Sequence, residues 1–182
     1  NTNIYFKSVL EKNIFIDLKN LNNNLDNNIL TILKDNYEGK CTNDGYIKRN
    51  TIKIITYSSG IVINNSIKFN IVFECMICYP VEGMKIQCII KNITKAGLRC
   101  ILDDDNNPLI IFVARDHHYI NSEFNNLKEQ DKINVKIIGQ RFELNDPHIC
   151  VISEFIDKIS NKINIEQQSE KLVKQIKEKK IK

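Results

Sequence analysis

The run Ile67-Lys68-Phe69-Asn70-Ile71-Val72-Phe73-Glu74-Cys75-Met76-Ile77-Cys78-Tyr79-Pro80-Val81-Glu82-Gly83 carries the clearest two-residue period in the chain. Ile67, Phe69, Ile71, Phe73, Cys75, Ile77 and Tyr79 share one face of an extended segment, and Lys68, Asn70 and Glu74 share the other. Pro80 has no N–H to give a ladder, so the strand ends there. This reading places a domain boundary at Pro80: residues 1–80 form one unit, 81–156 a second, and 157–182 a tail.

Upstream, β-prone stretches lie around Ile4–Phe6 and Ile14–Leu18. From 21 to 37, Leu21, Leu25, Ile29, Ile32 and Leu33 follow helical spacing, with Asn-rich positions opposite. Asn22, Asn23 and Asn24 cap or fray its start, and Gly39 turns the chain after it. A second strand is expected over 45–57. Between it and the quoted run, Tyr57-Ser58-Ser59-Gly60-Ile61-Val62-Ile63-Asn64-Asn65-Ser66 reads as a hairpin-like connection, with Gly60 in the turn and an apolar triplet near its tip.

Downstream, strands are expected at 84–94, 97–102, 108–114, 132–142 and 148–156, punctuated by Gly83, Gly97 and Gly139. Asp103-Asp104-Asp105-Asn106-Asn107-Pro108 and Asn145-Asp146-Pro147 are turns. Five short strands in this span fit a small closed barrel of the OB type. Residues 116–131 read as a polar loop with a helical turn.

The chain has 182 residues, 42% hydrophobic and 26% charged, which excludes wholesale disorder. No run reaches the roughly 18 uncharged apolar residues that a membrane span needs, so no membrane partner is expected. Asn1 to Leu10 lacks a signal-peptide pattern, and with it the six cysteines read as reduced intracellular thiols. The net charge of +4 sits in the tail: residues 1–156 hold 18 basic and 18 acidic side chains. The tail reads as a weakly helical or mobile basic segment.

Cys75-Met76-Ile77-Cys78 has the spacing of half a structural zinc site, but no second pair exists, and on a strand positions three apart face opposite sides. Buried thiols are the expectation, with no metal and no cofactor. The Asp103–Asp105 run lacks the remaining ligands of a calcium loop. No Ser/His/Asp spacing, phosphate loop or paired-carboxylate motif appears, so no catalytic residue is assigned. On an OB barrel, Lys91, Lys95, Arg99, Arg115, His117, His118, Arg141 and Phe142 fall on strands and loops able to line a face for single-stranded nucleic acid. Segment 81–156 has 9 basic and 11 acidic residues, which points to a weak grip made useful by tethering.

Several segments together resemble a known family. Glu38-Gly39-Lys40-Cys41-Thr42-Asn43-Asp44-Gly45-Tyr46-Ile47 resembles the Gly-x-Cys…Gly-aromatic segment of the stalk subunit of multisubunit DNA-directed RNA polymerases, the seventh subunit of polymerase II or its archaeal counterpart. Ile71 to Gly83 is similar to that family's join between its two domains. Ile90 to Leu98, Leu109 to His118, and Asp131 to Arg141 with Asn145-Asp146 resemble its barrel segments, in order. The resemblance covers residues 3–156. It implies an α+β N-terminal tip domain of truncated RNP type, followed by an all-β OB barrel of the ribosomal-protein-one RNA-binding type. It further implies docking on the large subunits of core RNA polymerase at the base of the clamp, through Tyr57, Ser58, Ser59, Gly60, Ile61, Val62 and Ile63. The barrel would then contact nascent single-stranded RNA, and a small helical partner, the fourth subunit of polymerase II or the archaeal protein that replaces it, would complete the stalk. Where many relatives place Phe after the hairpin glycine this chain has Gly97-Leu98, which implies a weaker stacking platform. The Asn/Ile/Lys bias is similar to versions from large cytoplasmic DNA viruses, which implies the host cytoplasm and the virion; a cellular version implies the nucleus. Other readings of the same residues are a free-standing RNA-binding barrel in translation or RNA decay, a zinc enzyme using Cys75, Cys78 and the histidines, and a protein-binding scaffold.

Overall fold

The computed structural model describes residues 4–20, 24–103, 107–118 and 120–159. Two β-systems meet end to end. The first is built on strand β6 (Ser66–Cys78), which pairs along its whole length with β1 (Tyr5–Asp17). The two expected β-prone patches are thus one 13-residue strand. The opposite edge of β6 is shared by three short strands in turn. These are β3 (Gly45–Ile47), itself paired with β2 (Cys41–Thr42), then β4 (Lys53–Tyr57) and β5 (Ile61–Ile63). The single strand expected over 45–57 is therefore two, interrupted at 48–52. Glu38 causes the break: its carboxylate accepts from the N–H groups of Asn50, Thr51 and Ile52, which a continuous ladder would have used.

Helix α1 (Leu25–Tyr37) covers one face of this sheet. It starts at Asn24, whose side chain accepts from the Asn27 N–H, and ends before Gly39 at φ 72°. Its Ile29 and Leu33 are fully buried against Ile14, Ile16, Phe69, Ile71, Phe73 and Cys75, each worth about 1.5–3 kcal/mol in burial. The alternation of β6 is that of the sequence. Cys75 faces the helix, and Cys78, three residues on, joins the core of the second β-system. Leu21 to Asn23 lie outside the described residues.

The second system is a closed five-stranded barrel, compatible with the OB arrangement. Its strands are β7 (Lys85–Ile93), β8 (Gly97–Ile101), β9 (Leu109–Ala114), β10 (Lys132–Arg141) and β11 (Ile149–Lys158). The order is β7-β8-β9-β11-β10 and back to β7, with β9 and β11 parallel and the other pairs antiparallel. Residues 115–117 form a 3-10 turn, and α2 (Ser122–Asn125) plugs the barrel with Phe124. β11 runs on to Lys158, so 157 and 158, assigned to the tail from sequence, are strand. The Ile159 N–H also donates to the Lys132 carbonyl. The expectations for 160–182 and for Asp104 to Asn106 lie outside the described residues.

The barrel core takes in Ile4, Tyr5, Cys41, Tyr46 and Cys78 from the first sheet. The β10–β11 loop reaches back to β2: the Cys41 N–H donates to the Asp146 carbonyl, and the Asn145 N–H to the Cys41 carbonyl.

Candidate functional site

Gly97 opens β8 at φ 149°, where an added Cβ would lie 2.1 Å from the Val113 carbonyl oxygen, so the β7–β8 turn closes tightly onto β9. Thr94 and Gly97 exchange backbone hydrogen bonds across that turn. Beside it, on the outer wall of the barrel, Asn92, Arg99, Phe112 and Ile152 are successive cross-strand neighbours over β7, β8, β9 and β11. They line a groove of about 650 Å³. Phe112 is 43% exposed and Ile152 54%, while Leu98, where the sequence resemblance implies an aromatic, is buried inside the barrel. An aromatic face is therefore present, on β9 instead of β8, and sequence reading missed it. Lys95 is exposed on the turn, and Lys91 is the extra, outward residue of a β-bulge between Ile90 and Asn92.

The other barrel residues assigned from sequence separate. Arg115 is half-buried. It donates to the Thr94 carbonyl (3.3 Å) and lies over the Phe124 ring, so it braces the turn that flanks the groove. His117 is exposed. His118 is buried: Nδ1 sits 2.9 Å from the Ala114 carbonyl, Nε2 accepts the Phe155 N–H at 3.0 Å, and the ring stacks on Phe124. Both nitrogens are used internally, with Nδ1 carrying the proton, so the side chain is not on the surface. Arg141 is exposed near Glu143, and Phe142 is half-buried edge-on to Tyr79 at the junction with the first sheet.

The connection expected to dock also differs from the expected hairpin. The chain reverses at Asn64–Asn65, with Asn64 at φ 53°, and residues 57–63 run along the edge of β6. Gly60 is not at the tip. A Cβ there would meet Ile67 at 2.6 Å and the Phe69 ring at 3.0 Å, so close packing explains the residue. The Ser58 N–H donates to the Asn70 carbonyl, and the Ser58 hydroxyl accepts from the Asn70 N–H. Ser59 lies exposed between the two strands. The Tyr57 hydroxyl donates to Asp26 at 2.7 Å, a bond that holds its proton and raises its pKa. Ile61 and Val62 are 61% and 65% exposed, and Ile63 is also exposed. Phe15, across β6 from Ile61 on the same sheet face, extends the apolar patch.

Burial pushes the thiols of Cys41 and Cys75 up to about 11 and that of Cys78 up to about 12, with nearby acidic groups adding to the first two. They are hydrophobic fillers with little nucleophilic character. Among the described residues, no three His, Cys, Asp or Glu side chains are grouped to hold a metal ion. No described helix is long and apolar enough to cross a membrane.

Over 174 residues the chain is 25% identical to the "Putative DNA-directed RNA polymerase subunit" of Acanthamoeba polyphaga mimivirus, covering 87% of this chain and 85% of that protein. No protein-family model matches the chain.

Proposed function

We propose that the chain is a noncatalytic, stalk-type subunit of a DNA-directed RNA polymerase. The observation that carries this reading is a similarity running through both β-systems, over most of each chain, to a viral protein named as such a polymerase's subunit. The two-part build supports it. The first sheet presents Ile61, Ile63 and Phe15 exposed on one face and Val62 exposed on the other, which suits a protein surface, and the barrel presents a groove with an aromatic and an arginine, which suits single-stranded RNA.

In this reading the patch seats on the large subunits and favours a closed clamp through differential contact. The barrel meets RNA as it leaves, and tethering compensates for the near-neutral charge of residues 81–156. The functional division falls at Pro80, a small helical partner completes the stalk, and the protein acts where its polymerase acts, in the host cytoplasm for a viral enzyme. The phosphodiester chemistry stays with the large subunits.

The test is affinity purification of the tagged chain with identification of what accompanies it. Recovery of the two large polymerase subunits is the expected result. Recovery of ribosomal or RNA-decay proteins without them would establish the free-standing RNA-binding reading instead.

A further inference from the structure

The strand directions put the end of β7, the start of β8, the end of β9, the start of β10 and the end of β11 at one end of the barrel. The groove of Arg99, Phe112 and Ile152 lies near that end. The chain also leaves the barrel there, at Ile159, whose N–H donates to the Lys132 carbonyl. Lys132 is level with Ile89 on β7, three residues before Asn92 of the groove. Two strand spacings of ~4.8 Å and a three-residue rise of ~10 Å separate the departing chain from the groove, under ~20 Å in all.

No acidic residue lines the groove. Lys91 precedes Asn92, Lys95 sits in the β7–β8 turn, and Arg99 is on the groove wall; all three are exposed and make no ion pair among the described residues. Where the chain departs, Asp103 is held by Lys132 at 2.7 Å and Asp131 by Lys158 at 2.5 Å. Asp157 accepts from Asn134, and Glu123 from the Lys158 N–H. Asp116, Glu129 and Glu154 stay exposed without an ion pair, as does Lys128. This end of the barrel is therefore close to neutral and holds a run of phosphates weakly by itself.

The uncompensated charge follows directly in the sequence. Residues 160–182 contain seven lysines and three glutamates, whereas residues 1–159 contain nineteen basic and nineteen acidic side chains. Six of those lysines fall within 171–182, beside one glutamate. Lys171 is twelve residues beyond Ile159, a contour of up to about 40 Å, which is enough to reach the groove. We infer that residues 160–182 are a phosphate-binding arm: their lysines hold the backbone of the same single strand whose bases lie in the groove, and they supply most of its salt-sensitive affinity. The inference rests on the RNA reading of the groove and assigns the electrostatic share of that binding to the arm.

The experiment uses the full chain carrying Lys171→Gln, Lys174→Gln, Lys177→Gln, Lys179→Gln, Lys180→Gln and Lys182→Gln together, beside the unaltered chain and Phe112→Ala. Binding of a tetranucleotide and a 20-nucleotide oligouridylate is measured at several salt concentrations. The lysine variant is expected to bind the longer RNA at least tenfold more weakly. Its slope of log affinity against log salt should fall by at least two, given about 0.7 per phosphate neutralised on a single strand. The tetranucleotide, too short to fill the groove and run along the arm, should lose less than threefold. Phe112→Ala should weaken both RNAs and keep the slope. An unchanged slope in the lysine variant, with Phe112→Ala still weakened, would overturn the arm and keep the groove. Loss in the lysine variant with Phe112→Ala unaffected would remove the groove, and with it the shared strand. Tighter RNA binding by the lysine variant would make the arm a competitor for the groove and overturn the inference. So would an unchanged slope with loss of co-purifying polymerase subunits, which would assign the arm to a protein surface.

Discussion

Arg99 and Phe112 are direct cross-strand partners on the outer wall of the barrel, both exposed, with the guanidinium-bearing strand and the ring-bearing strand bounding one groove. An arginine beside an exposed ring can accept a nucleobase against the ring and a phosphate against the cation. Phe112→Ala is expected to weaken binding of a single-stranded oligoribonucleotide by roughly tenfold, within the ~1–3 kcal/mol of one stacked base. Arg99→Ala should lower the slope of log affinity against log salt by about one. Filter binding at several salt concentrations checks both. An unchanged affinity in Phe112→Ala would remove RNA from this groove.

Ile61 and Val62 gain little from the fold at their present exposure. Replacing both with Asp is expected to shift the thermal midpoint by no more than a few degrees, because exposed positions usually contribute within about ±0.5 kcal/mol. The same pair of changes should abolish co-purification with polymerase large subunits. Retention of those subunits at full yield would show that the patch is not the docking surface.

His118 links the end of β9, at Ala114, to β11 and closes one end of the barrel with Phe124 and Phe155. His118→Ala removes a buried ring and leaves the Phe155 N–H and the Ala114 carbonyl without that partner. A loss of about 2–4 kcal/mol is expected, read from denaturant midpoints. His117→Ala, at an exposed site one residue away, should leave the midpoint nearly unchanged. Equal effects from the two would contradict the burial-based assignment.

The buried thiols set an alkaline limit. Cys41 and Cys75 move from 9.0 to about 11 and Cys78 from 9.0 to about 12 because the folded state disfavours the thiolate. The folded state thus holds protons that the unfolded state releases above pH 9. Their stabilising contribution is complete below pH 9 and falls as pH rises through 11 to 12. Denaturation curves at pH 8, 9, 10 and 11 should show stability declining across the upper part of that range. Cys150, the exposed thiol, should react with a disulfide reagent well before the other five.

Much of the fold was readable because its strands obey the simplest signal. In β6, a residue's parity alone decided whether it met the helix, and the five barrel strands begin and end within two residues of the expected positions, set by glycine and Asp/Asn/Pro turns. β1 was harder, since Ser8, Lys12 and Asn13 break its apolar pattern and its extension depends on pairing with β6. The reversal at Asn64–Asn65 was hidden by Gly60, whose absence of a side chain serves Ile67 and Phe69, contacts that exist only after folding. Phe112 lies in Leu109-Ile110-Ile111-Phe112-Val113, apolar on both faces. That doubled face was the available sign that one side meets something other than the core. His118 read as polar surface because nothing local reveals that α2 and β11 enclose it.

The reciprocal pair of hydrogen bonds between Cys41 and the Asn145–Asp146 corner acts as a weld between the two β-systems. With Tyr5, Tyr46 and Cys78 sunk into the barrel core on the same side, bending at Pro80 would have to break backbone bonds and open an apolar seam together. Flexing of the barrel against the first sheet is therefore resisted by two kinds of contact that have to fail together.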